Sequence, residues 1–472
     1  MYKNFPSVTI EPFVILHQKL YFYRLALRSE KNMINLLCSV LLICITQQAI
    51  CSHLSKHPVL LTVSFDGFRY DYMSKADMPT LRVIQEEGVS VPYMKAQFPT
   101  KTFPNHQSIA TGVYPDIHGI TDNTVYDPMY GKKLSGFSDD PAFWNYSPDV
   151  IPFWIRNEQA GEKRFSGCYM WAGSTQRYGP AQLLPTYYIP KYNGSVPWEE
   201  RVETVISWMT DPDKPANMVF LYHNEPDSRG HTSGTDDPET IAEIKKVDQR
   251  VAHLVQRLKA SGIYEKINLV ILSDHGMQNV HKENMINTTG FADPQTYFRN
   301  GNSPVFHIKP KNKNDTAQIY EAFRTASIGK NFSVYRKNDL GHLKYGKSRR
   351  IADIVLLADP GYGFEDLRFN DAGVTGVHGY DNNNQNMTAI FMARGPNFKR
   401  SFKSSVPIEN VDLVALFSKI MQVPLPNTAF NGTAKTVSEF LTTANASSNR
   451  LNWNMMGVII SIAVLRISME YL

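Results

Sequence analysis

Residues 59–65 have the sequence VLLTVSF and are followed directly by Asp66. Short runs that are rich in Val, Ile and Leu and bounded by turn residues are typical of buried strands in a parallel sheet. The same arrangement recurs twice, at 218–222 (MVFLY) shortly before Asp227 and at 267–273 (INLVILS) before Asp274. Because ligands bind outside the carboxyl ends of parallel strands, we expect the three carboxylates to converge on one site.

The segments between and after these runs predict further elements. Residues 239–260 have apolar side chains at three- and four-residue steps, which predicts a crossover helix between the second and third strands. Residues 79–88 suit a helix after the first strand. Residues 351–358 and 388–393 are predicted strands on either side of the polar loop 373–386. The alternation indicates an α/β fold with a mostly parallel central sheet and helices on both faces.

Composition bounds the class of protein. The chain has 472 residues, 42% of them hydrophobic and 20% charged, so it can bury a large core and is neither disordered nor fibrous. Residues 131–200 are richer in Pro, Gly, Tyr and Trp and less periodic, as expected of an insertion that walls a pocket. The formal net charge is +5, of which residues 1–51 contribute +3. The rest is too weakly basic for a nucleic-acid-binding surface.

The N-terminal region predicts secretion. Residues 34–46 form an apolar run of signal-peptide length, preceded by Arg28 and Lys31 and followed by small and polar residues up to Ser52. We interpret residues 1–51 as an upstream extension and a signal peptide that begins at Met33. An uncleaved N-terminal anchor is the alternative.

Glycosylation and cysteine content agree with this interpretation. Eight Asn-x-Ser/Thr sequons are present, at Asn145, Asn193, Asn287, Asn314, Asn331, Asn386, Asn431 and Asn445. Cys38 and Cys44 belong to the predicted signal and Cys51 lies near its end, which leaves Cys168 as the one certain cysteine of the mature chain. No disulfide framework is predicted, so the fold must depend on its core or on metal.

The stretch 98–106, FPTKTFPNH, places the hydroxyl of Thr102 just ahead of a predicted helix start. Pro104 suits the first turn, so Thr102 would lie beside backbone N–H groups that have no helical partner. Such a helix end attracts phosphate. Threonine is also an ordinary N-cap residue, and this stretch alone favours that interpretation.

Histidines accompany the strand-end carboxylates. His231 follows Asp227 by four residues, His275 is adjacent to Asp274, and His378 lies between two glycines. Each pattern alone has an ordinary explanation as a turn, a cap or a solvated histidine. Together they give three aspartates, three histidines and one threonine, a set of nitrogen and oxygen ligands without thiolate. Zinc is the divalent metal that fits this set best.

Six blocks in fixed order carry a family resemblance. They are 64–69 (SFDGFR), 100–106 (TKTFPNH), 111–120 (TGVYPDIHGI), 225–231 (EPDSRGH), 273–277 (SDHGM) and 378–382 (HGYDN). From about residue 59 to about 441 the chain resembles the ectonucleotide pyrophosphatase/phosphodiesterase family, a branch of the alkaline phosphatase superfamily. It is most similar to the compact, membrane-anchored members, types four and five. Cysteine-rich modules and a nuclease-like domain are not found, so partner roles attributed to such domains are not expected.

The resemblance implies a set of site residues. Two Zn²⁺ ions per chain are expected, one held by Asp66, Thr102, Asp274 and His275 and the other by Asp227, His231 and His378. Asn123 matches the asparagine that helps to bind a phosphoryl oxygen. Phe103 and Tyr192 match the aromatic pair that holds a nucleotide base, although a core aromatic is the alternative for Phe103.

The resemblance also implies an activity. Thr102 would attack phosphorus, and water would cleave the threonyl phosphate, so that nucleotide phosphodiester or pyrophosphate bonds yield nucleoside 5′-monophosphates. Two alternatives remain open. One is a choline-phosphodiester (lipid) phosphodiesterase, and the other is a surface adhesion or recognition glycoprotein with weak catalysis.

The C-terminal region predicts a membrane anchor. Residues 455–465 are apolar but too few for an ordinary spanning helix, and small residues lie upstream at 445–449. This pattern suits a glycolipid-anchor signal, with a short transmembrane segment as the alternative. We therefore expect a catalytic domain at 52–440 and an anchor region at 441–472, with the enzyme on the extracellular face of the plasma membrane.

Overall fold

The structure is a computed structural model that describes Met33 and residues 54–138, 140–425 and 430–442. Apart from Met33, the predicted signal peptide lies outside the described residues, as do Cys38, Cys44, Cys51, Asn445 and the predicted anchor at 455–465. The proposed domain boundaries therefore stay predictions. Among the described residues, no helix is both long and apolar enough to span a membrane.

The central sheet confirms the three predicted strands. Val59–Phe65 lies between Met218–His223 and Ile267–Leu272 and is parallel to both. The full order across the eight strands is Phe402–Lys403, Val89–Ser90, Phe391–Arg394, Ile267–Leu272, Val59–Phe65, Met218–His223, Ser166–Tyr169 and Tyr187–Tyr188. Phe391–Arg394 is antiparallel to its neighbours, and the five strands on its far side, from Ile267–Leu272 to Tyr187–Tyr188, are parallel.

The side chains of Val59–Phe65 alternate between two cores, as the pleat of a strand requires. Leu61, Val63 and Phe65 pack on the face covered by the helices Pro79–Glu87, Trp198–Met209 and Pro238–Ala260. Leu60 packs on the opposite face, which is covered by Thr102–Thr111, Phe153–Gln159 and Leu413–Met421. The predicted crossover helix is thus confirmed, and helices lie on both faces.

A second, four-stranded sheet lies downstream. Its order is Tyr297–Asn302, Val305–Pro310, Ile354–Ala358 and Phe332–Arg336, all antiparallel, and the helix Thr316–Ser327 packs against it. The predicted strand at 351–358 belongs to this sheet, whereas the one at 388–393 is Phe391–Arg394 of the central sheet. The loop between these two strands therefore connects the two sheets.

The remaining elements are short. The helices are Pro115–His118, Pro141–Trp144, Asp227–Ser233 and Lys435–Ser438, with 3-10 turns at Tyr72–Ser74, Lys282–Asn284, Lys313–Asp315, Lys337–Leu343, Gln385–Met387 and Asn410–Asp412. The paired strands are Thr124–Asp127 with Lys132–Ser135, Met94–Lys95 with Ile408–Glu409, Gln278–His281 with Val374–Val377, and Met285–Ile286 with Gly363–Phe364.

Residues 131–200 do more than wall a pocket. The segment also supplies Ser166–Tyr169, a fully buried strand of the central sheet beside Met218–His223. The sequence SGCY contains no Val, Ile or Leu, so no apolar run marked it as a strand. Its burial comes from the neighbouring strands and helices, which is a tertiary effect that a local pattern does not contain.

The predicted sequons differ in exposure. Five of the asparagines are exposed, namely Asn145, Asn193, Asn287, Asn314 and Asn331. Asn431 is half-buried, and its side-chain oxygen accepts a hydrogen bond from the backbone of Tyr114 at 2.9 Å. Asn386 is also half-buried, and its Nδ2 donates to Gln278 Oε1 at 2.7 Å.

Glycan mapping of the protein secreted from animal cells should therefore find Asn386 unmodified. A glycan would replace one of the two hydrogens on Asn386 Nδ2, which already donates to Gln278, in a segment whose backbone packs directly on Gly276. Exposed Asn314 serves as the matched sequon, and we expect it to contain a glycan. Glycopeptide mass spectrometry measures both positions, and full occupancy of Asn386 would contradict the structure.

Candidate active site

Thr102 begins a helix at the centre of the site. The helix runs from Thr102 to Thr111, and Lys101 occupies the N-cap position with an extended backbone and no side-chain cap bond. Thr102 is thus the first residue of the helix and not its N-cap, so the N-cap interpretation was wrong. The Thr102 hydroxyl lies 3.3 Å from Nε2 of His275. The side chain therefore faces the predicted ligands.

The first group of predicted ligands is Asp66, Asp274 and His275, all buried, with ligand atoms within 4.8 Å of one another. Nε2 of His275 is 3.4 Å from Asp66 Oδ1 and 3.1 Å from Asp274 Oδ2. Asp66 follows one central strand directly, and Asp274 lies two residues past the end of the neighbouring strand. Parallel pairing of these strands brings the two carboxylates together.

The second group is Asp227, His231 and His378, whose ligand atoms also lie within 4.8 Å of one another. Nε2 of His231 and of His378 lie 3.4 and 3.6 Å from the Asp227 carboxylate. The His275 and His378 rings stack with centroids 3.7 Å apart, so the two groups are adjacent. The structure thus brings all seven predicted ligands to one place.

Each of the three histidines is held in one tautomer by a backbone carbonyl. Nδ1 of His231 donates to Gly376 O at 2.8 Å, Nδ1 of His275 to Gly276 O at 2.9 Å, and Nδ1 of His378 to Thr100 O at 2.9 Å. The Nε2 lone pairs are left facing the carboxylates. Nε2 of His231 and Nε2 of His378 are 3.1 Å apart, and two such acceptors repel unless a cation binds both.

The carboxylates also lack hydrogen-bond donors. Asp66 Oδ1, Asp227 Oδ1 and Asp274 Oδ2 are buried oxygens that accept no hydrogen bond from any described residue. Burial raises the pKa of Asp66 well above its usual value, and the nearby carboxylates of Asp274 and Asp227 raise it further. Unpaired oxygens and nitrogen lone pairs that face one another fit a divalent metal with mixed nitrogen and oxygen ligands. The two groups are therefore candidate metal sites.

Two side chains, one half-buried and one buried, support these ligands and were not singled out from the sequence. Tyr222 donates from its hydroxyl to Asp66 Oδ2 at 2.5 Å. His106 lies 2.9 Å from both Ser64 Oγ and Thr102 O, and 3.3 Å from Asp274 Oδ2. Both residues lie within stretches quoted above, but the direction in which they point depends on strand register and helix phase, which only the folded chain shows.

Asn123 lies beside the start of the Thr102 helix. Its Oδ1 accepts a hydrogen bond from the backbone N–H of Phe103 at 2.9 Å. This bond fixes the orientation of the amide and leaves Nδ2 as a donor, because the two ends of the group have opposite hydrogen-bonding character. Asn123 and Thr102 both line the cavity described below.

A cavity of about 850 Å³ opens over both groups. Its wall includes Phe103, which packs edge-on against Phe137 and Trp144 with ring centroids 4.7 and 5.5 Å apart. Tyr192 lines the same cavity and is 55% exposed. Phe103 thus belongs to an aromatic cluster and also faces the cavity. Both members of the predicted aromatic pair, Phe103 and Tyr192, line this cavity.

Comparisons with known proteins agree on one family. The model of the type I phosphodiesterase / nucleotide pyrophosphatase family matches residues 60–381. The chain is 38% identical over 381 residues to the Homo sapiens protein named bis(5′-adenosyl)-triphosphatase ENPP4, covering 80% of each chain. It is 36% identical over 392 residues to the Homo sapiens ectonucleotide pyrophosphatase/phosphodiesterase family member 5, covering 82% of this chain and 78% of that protein.

Solved structures agree with the sequence comparisons. Murine ectonucleotide pyrophosphatase / phosphodiesterase 5 matches with a TM-score of 0.75 and 34% identity, covering 81% of this chain and 100% of that chain. An inactive form of the murine protein, with a threonine-to-alanine substitution and in complex with AMP, matches with the same TM-score and identity and covers 82% of this chain and 100% of that one. The alkaline-phosphatase-like fold and the resemblance to types four and five are thereby confirmed.

Asp66→Asn should raise the melting temperature of chelator-treated protein at pH 7. An acid whose pKa is raised by folding lowers stability as pH rises above its unfolded value of about 4, so removing this charge stabilises the metal-free fold. We expect a rise of about 1–2 °C per kcal/mol, since the unfolding entropy of about 2.1 cal/mol/K per residue makes the Tm of so large a domain less sensitive than that of a smaller one.

The same substitution should reduce the gain in Tm when divalent metal is restored, because it removes a ligand oxygen. Exposed Asp149→Asn is the matched control and should change neither value. Differential scanning calorimetry with and without chelator measures both effects. A lower Tm for metal-free Asp66→Asn would contradict the electrostatic account of this group.

Proposed function

Because the chain belongs to the type I phosphodiesterase / nucleotide pyrophosphatase family, we propose that it hydrolyses extracellular nucleotide diesters or pyrophosphates and releases nucleoside 5′-monophosphates. The observation that carries this proposal is the position of Thr102. Its hydroxyl lies 3.3 Å from His275 Nε2, at the start of a helix and in the wall of the cavity. A hydroxyl in this place has a role in an enzyme and none in a surface recognition protein.

The proposed cofactors are two Zn²⁺ ions per chain. Asp66, Asp274 and His275 would hold one ion together with Thr102, and Asp227, His231 and His378 would hold the other. Zinc supplies positive charge that favours loss of the hydroxyl proton and stabilises the oxygens of a transferring phosphoryl group. The ligand set contains carboxylates, imidazoles and a hydroxyl without thiolate, which suits zinc in a catalytic site.

The steps proposed for the protein's own residues begin with Thr102. Its Oγ1 loses its proton to solvent and forms a bond to phosphorus as the bond from phosphorus to the leaving oxygen breaks, which gives a threonyl phosphate ester that still carries the nucleoside. Water then cleaves that ester, releases the nucleoside 5′-monophosphate and restores the hydroxyl. The murine relative that is inactive with alanine in place of a threonine supports a threonine nucleophile in this family.

Asn123 and the helix end are proposed to stabilise charge on the phosphoryl oxygens. Asn123 Nδ2 is available as a donor because Oδ1 already accepts from Phe103 N–H. Backbone N–H groups in the first turn of a helix attract anions, and Thr102 begins such a turn. These donors are in place before substrate binds, so they need no reorganisation during the reaction.

The proposed substrate is a nucleotide because the cavity offers an aromatic surface. Phe103 and Tyr192 line the same cavity and would stack a base between them. One human relative is named for bis(5′-adenosyl) triphosphate hydrolysis, and the murine relative binds AMP. A dinucleoside polyphosphate or another nucleotide diester is therefore favoured over a choline diester.

The proposed location is the extracellular side of the plasma membrane. The predicted signal peptide and the exposed sequons support entry into the secretory pathway. The relatives named as ectonucleotide enzymes are consistent with this location. Attachment through the C-terminal region is part of the same proposal.

Thr102→Ala should abolish turnover of a nucleotide diester while the protein retains close to two zinc ions per chain. The expected cause is loss of the attacking oxygen, since three side-chain ligands remain in each group. Thr102→Ser should retain part of the activity because only a methyl group is lost. Rapid quench with phosphorus-labelled substrate, elemental analysis and peptide mapping measure these effects, and the label should be on the Thr102 peptide of the wild type. Near wild-type turnover by Thr102→Ala would refute the covalent mechanism.

Tyr192→Ala should raise KM for a nucleotide diester by about 5- to 150-fold, because a stacked base contributes roughly 1–3 kcal/mol. KM for a small aryl phosphodiester without a base should change little. Tyr130→Ala is a matched control, since Tyr130 is a similarly exposed tyrosine that is not among the residues lining the described cavity. Steady-state kinetics with both substrates gives the comparison, and equal increases would favour the choline-diester alternative.

A further inference from the structure

A buried ion pair lies beside the cavity, whose lining includes Lys101, and takes no part in the steps above. The ammonium of Lys101 is 2.9 and 2.7 Å from the two oxygens of Asp122, and each side chain is only 1% exposed. The ammonium also donates to Asn302, whose backbone and side-chain oxygens lie at 3.0 and 2.9 Å. All three ammonium protons therefore have oxygen acceptors.

The two members of this pair stand next to two proposed active-site residues. Lys101 precedes Thr102, and Asp122 precedes Asn123. Asp122 Oδ1 also accepts from the backbone N–H of Asn123 at 2.6 Å. Two sets of hydrogen bonds therefore connect the start of the helix to the Asn123 segment. One set joins Lys101 to Asp122, and the other is the bond from Phe103 N–H to Asn123 Oδ1 at 2.9 Å.

The pair also contacts the segment that contains His378. A Cβ placed on Gly379 would lie 2.9 Å from Lys101 Cε, and Gly379 has a φ of +117°. The lysine side chain can pack this close only because residue 379 is a glycine. Any other residue would have a strained backbone at this φ, and its Cβ would clash with Lys101. The Lys101 side chain is enclosed between Gly379, Asp122 and Asn302.

Stability alone does not account for a fully buried ion pair. Removing two charges from water costs several kcal/mol per ion, and apolar side chains of similar volume are often as stabilising or more so. The pair instead fixes the relative position of two backbone segments, because its hydrogen bonds join the segment of Lys101 to the segment of Asp122. A displacement of about 1 Å in a catalytic group can lower a rate by about 100-fold.

We propose that Lys101 and Asp122 are positioning residues that hold the Thr102 hydroxyl and the Asn123 amide at a fixed separation around the transferring phosphoryl group. This inference rests on the proposed function of Thr102 and Asn123. In this inference, neither Lys101 nor Asp122 contacts substrate or metal. The pair acts on the rate of the chemical step, and it contributes little to metal content or to nucleotide affinity.

The test replaces both charges at once, because removing one alone would leave an unpaired charge buried and endanger folding. Lys101→Met/Asp122→Leu keeps similar volumes without either charge. Arg394→Met is the matched control. Arg394 is a buried cation paired with Glu87 and Glu265 at 3.2 and 2.9 Å and is not among the residues lining the described cavity.

We expect the double variant to unfold cooperatively, to hold the wild-type amount of zinc, and to bind AMP with a Kd within about threefold of wild type. Its single-turnover rate per zinc-loaded molecule should fall by roughly 30- to 100-fold. Arg394→Met should lower Tm and leave that rate unchanged. A wild-type rate in the double variant would overturn the inference, as would a loss explained entirely by fewer folded, zinc-loaded molecules.

Measurements on the wild-type protein test the proposed function separately from this inference. If wild-type protein turns over the diester without labelling Thr102, the covalent mechanism is wrong. The ratio of turnover between wild type and the double variant then still decides whether the pair positions the site. If wild-type protein hydrolyses no nucleotide diester, the proposed function and the inference that rests on it are both wrong.

Discussion

Three carboxylates lie close together at or just beyond the carboxyl ends of three adjacent parallel strands, and the rest of the site depends on this constraint. Asp66, Asp227 and Asp274 are near enough for Asp274 and Asp227 to raise the pKa of Asp66 beyond the effect of its burial. Buried like charges are unfavourable unless something neutralises them. The surrounding histidines add nitrogen lone pairs at the same points and leave the negative charge unneutralised, so the arrangement fits bound divalent metal.

The supporting structure follows from that need. Backbone carbonyls fix the tautomer of each histidine, and the hydroxyl of Tyr222 occupies the Asp66 oxygen that does not face the ligand group. In the strand Val59–Phe65, the side chains on the face that carries the Thr102 helix include buried, polar Thr62 and Ser64. Ser64 contacts His106 on this face. Polar side chains thus extend into the sheet below the site.

Much of this arrangement was predictable from the sequence. The runs before Asp66, Asp227 and Asp274 predicted buried parallel strands and convergent carboxylates, because strand polarity alone determines where their ends meet. The strand Ser166–Tyr169 was missed because its burial depends on neighbours and not on its own residues. Tyr222, His106 and the Lys101–Asp122 pair were missed as supporting residues for a related reason. Their roles depend on which side chain faces which across elements distant in sequence, and neither composition nor spacing contains that information.

The central proposal is that the fold holds two zinc ions beside Thr102, and anomalous diffraction at the zinc absorption edge tests it most directly. Crystals of protein purified from a secretory host without added metal should show two strong peaks per chain. One peak should lie about 2.0–2.2 Å from ligand atoms of Asp66, Asp274 and His275, and the other at the same distance from Asp227, His231 and His378. A single peak, or peaks outside these two groups in catalytically active protein, would contradict the account.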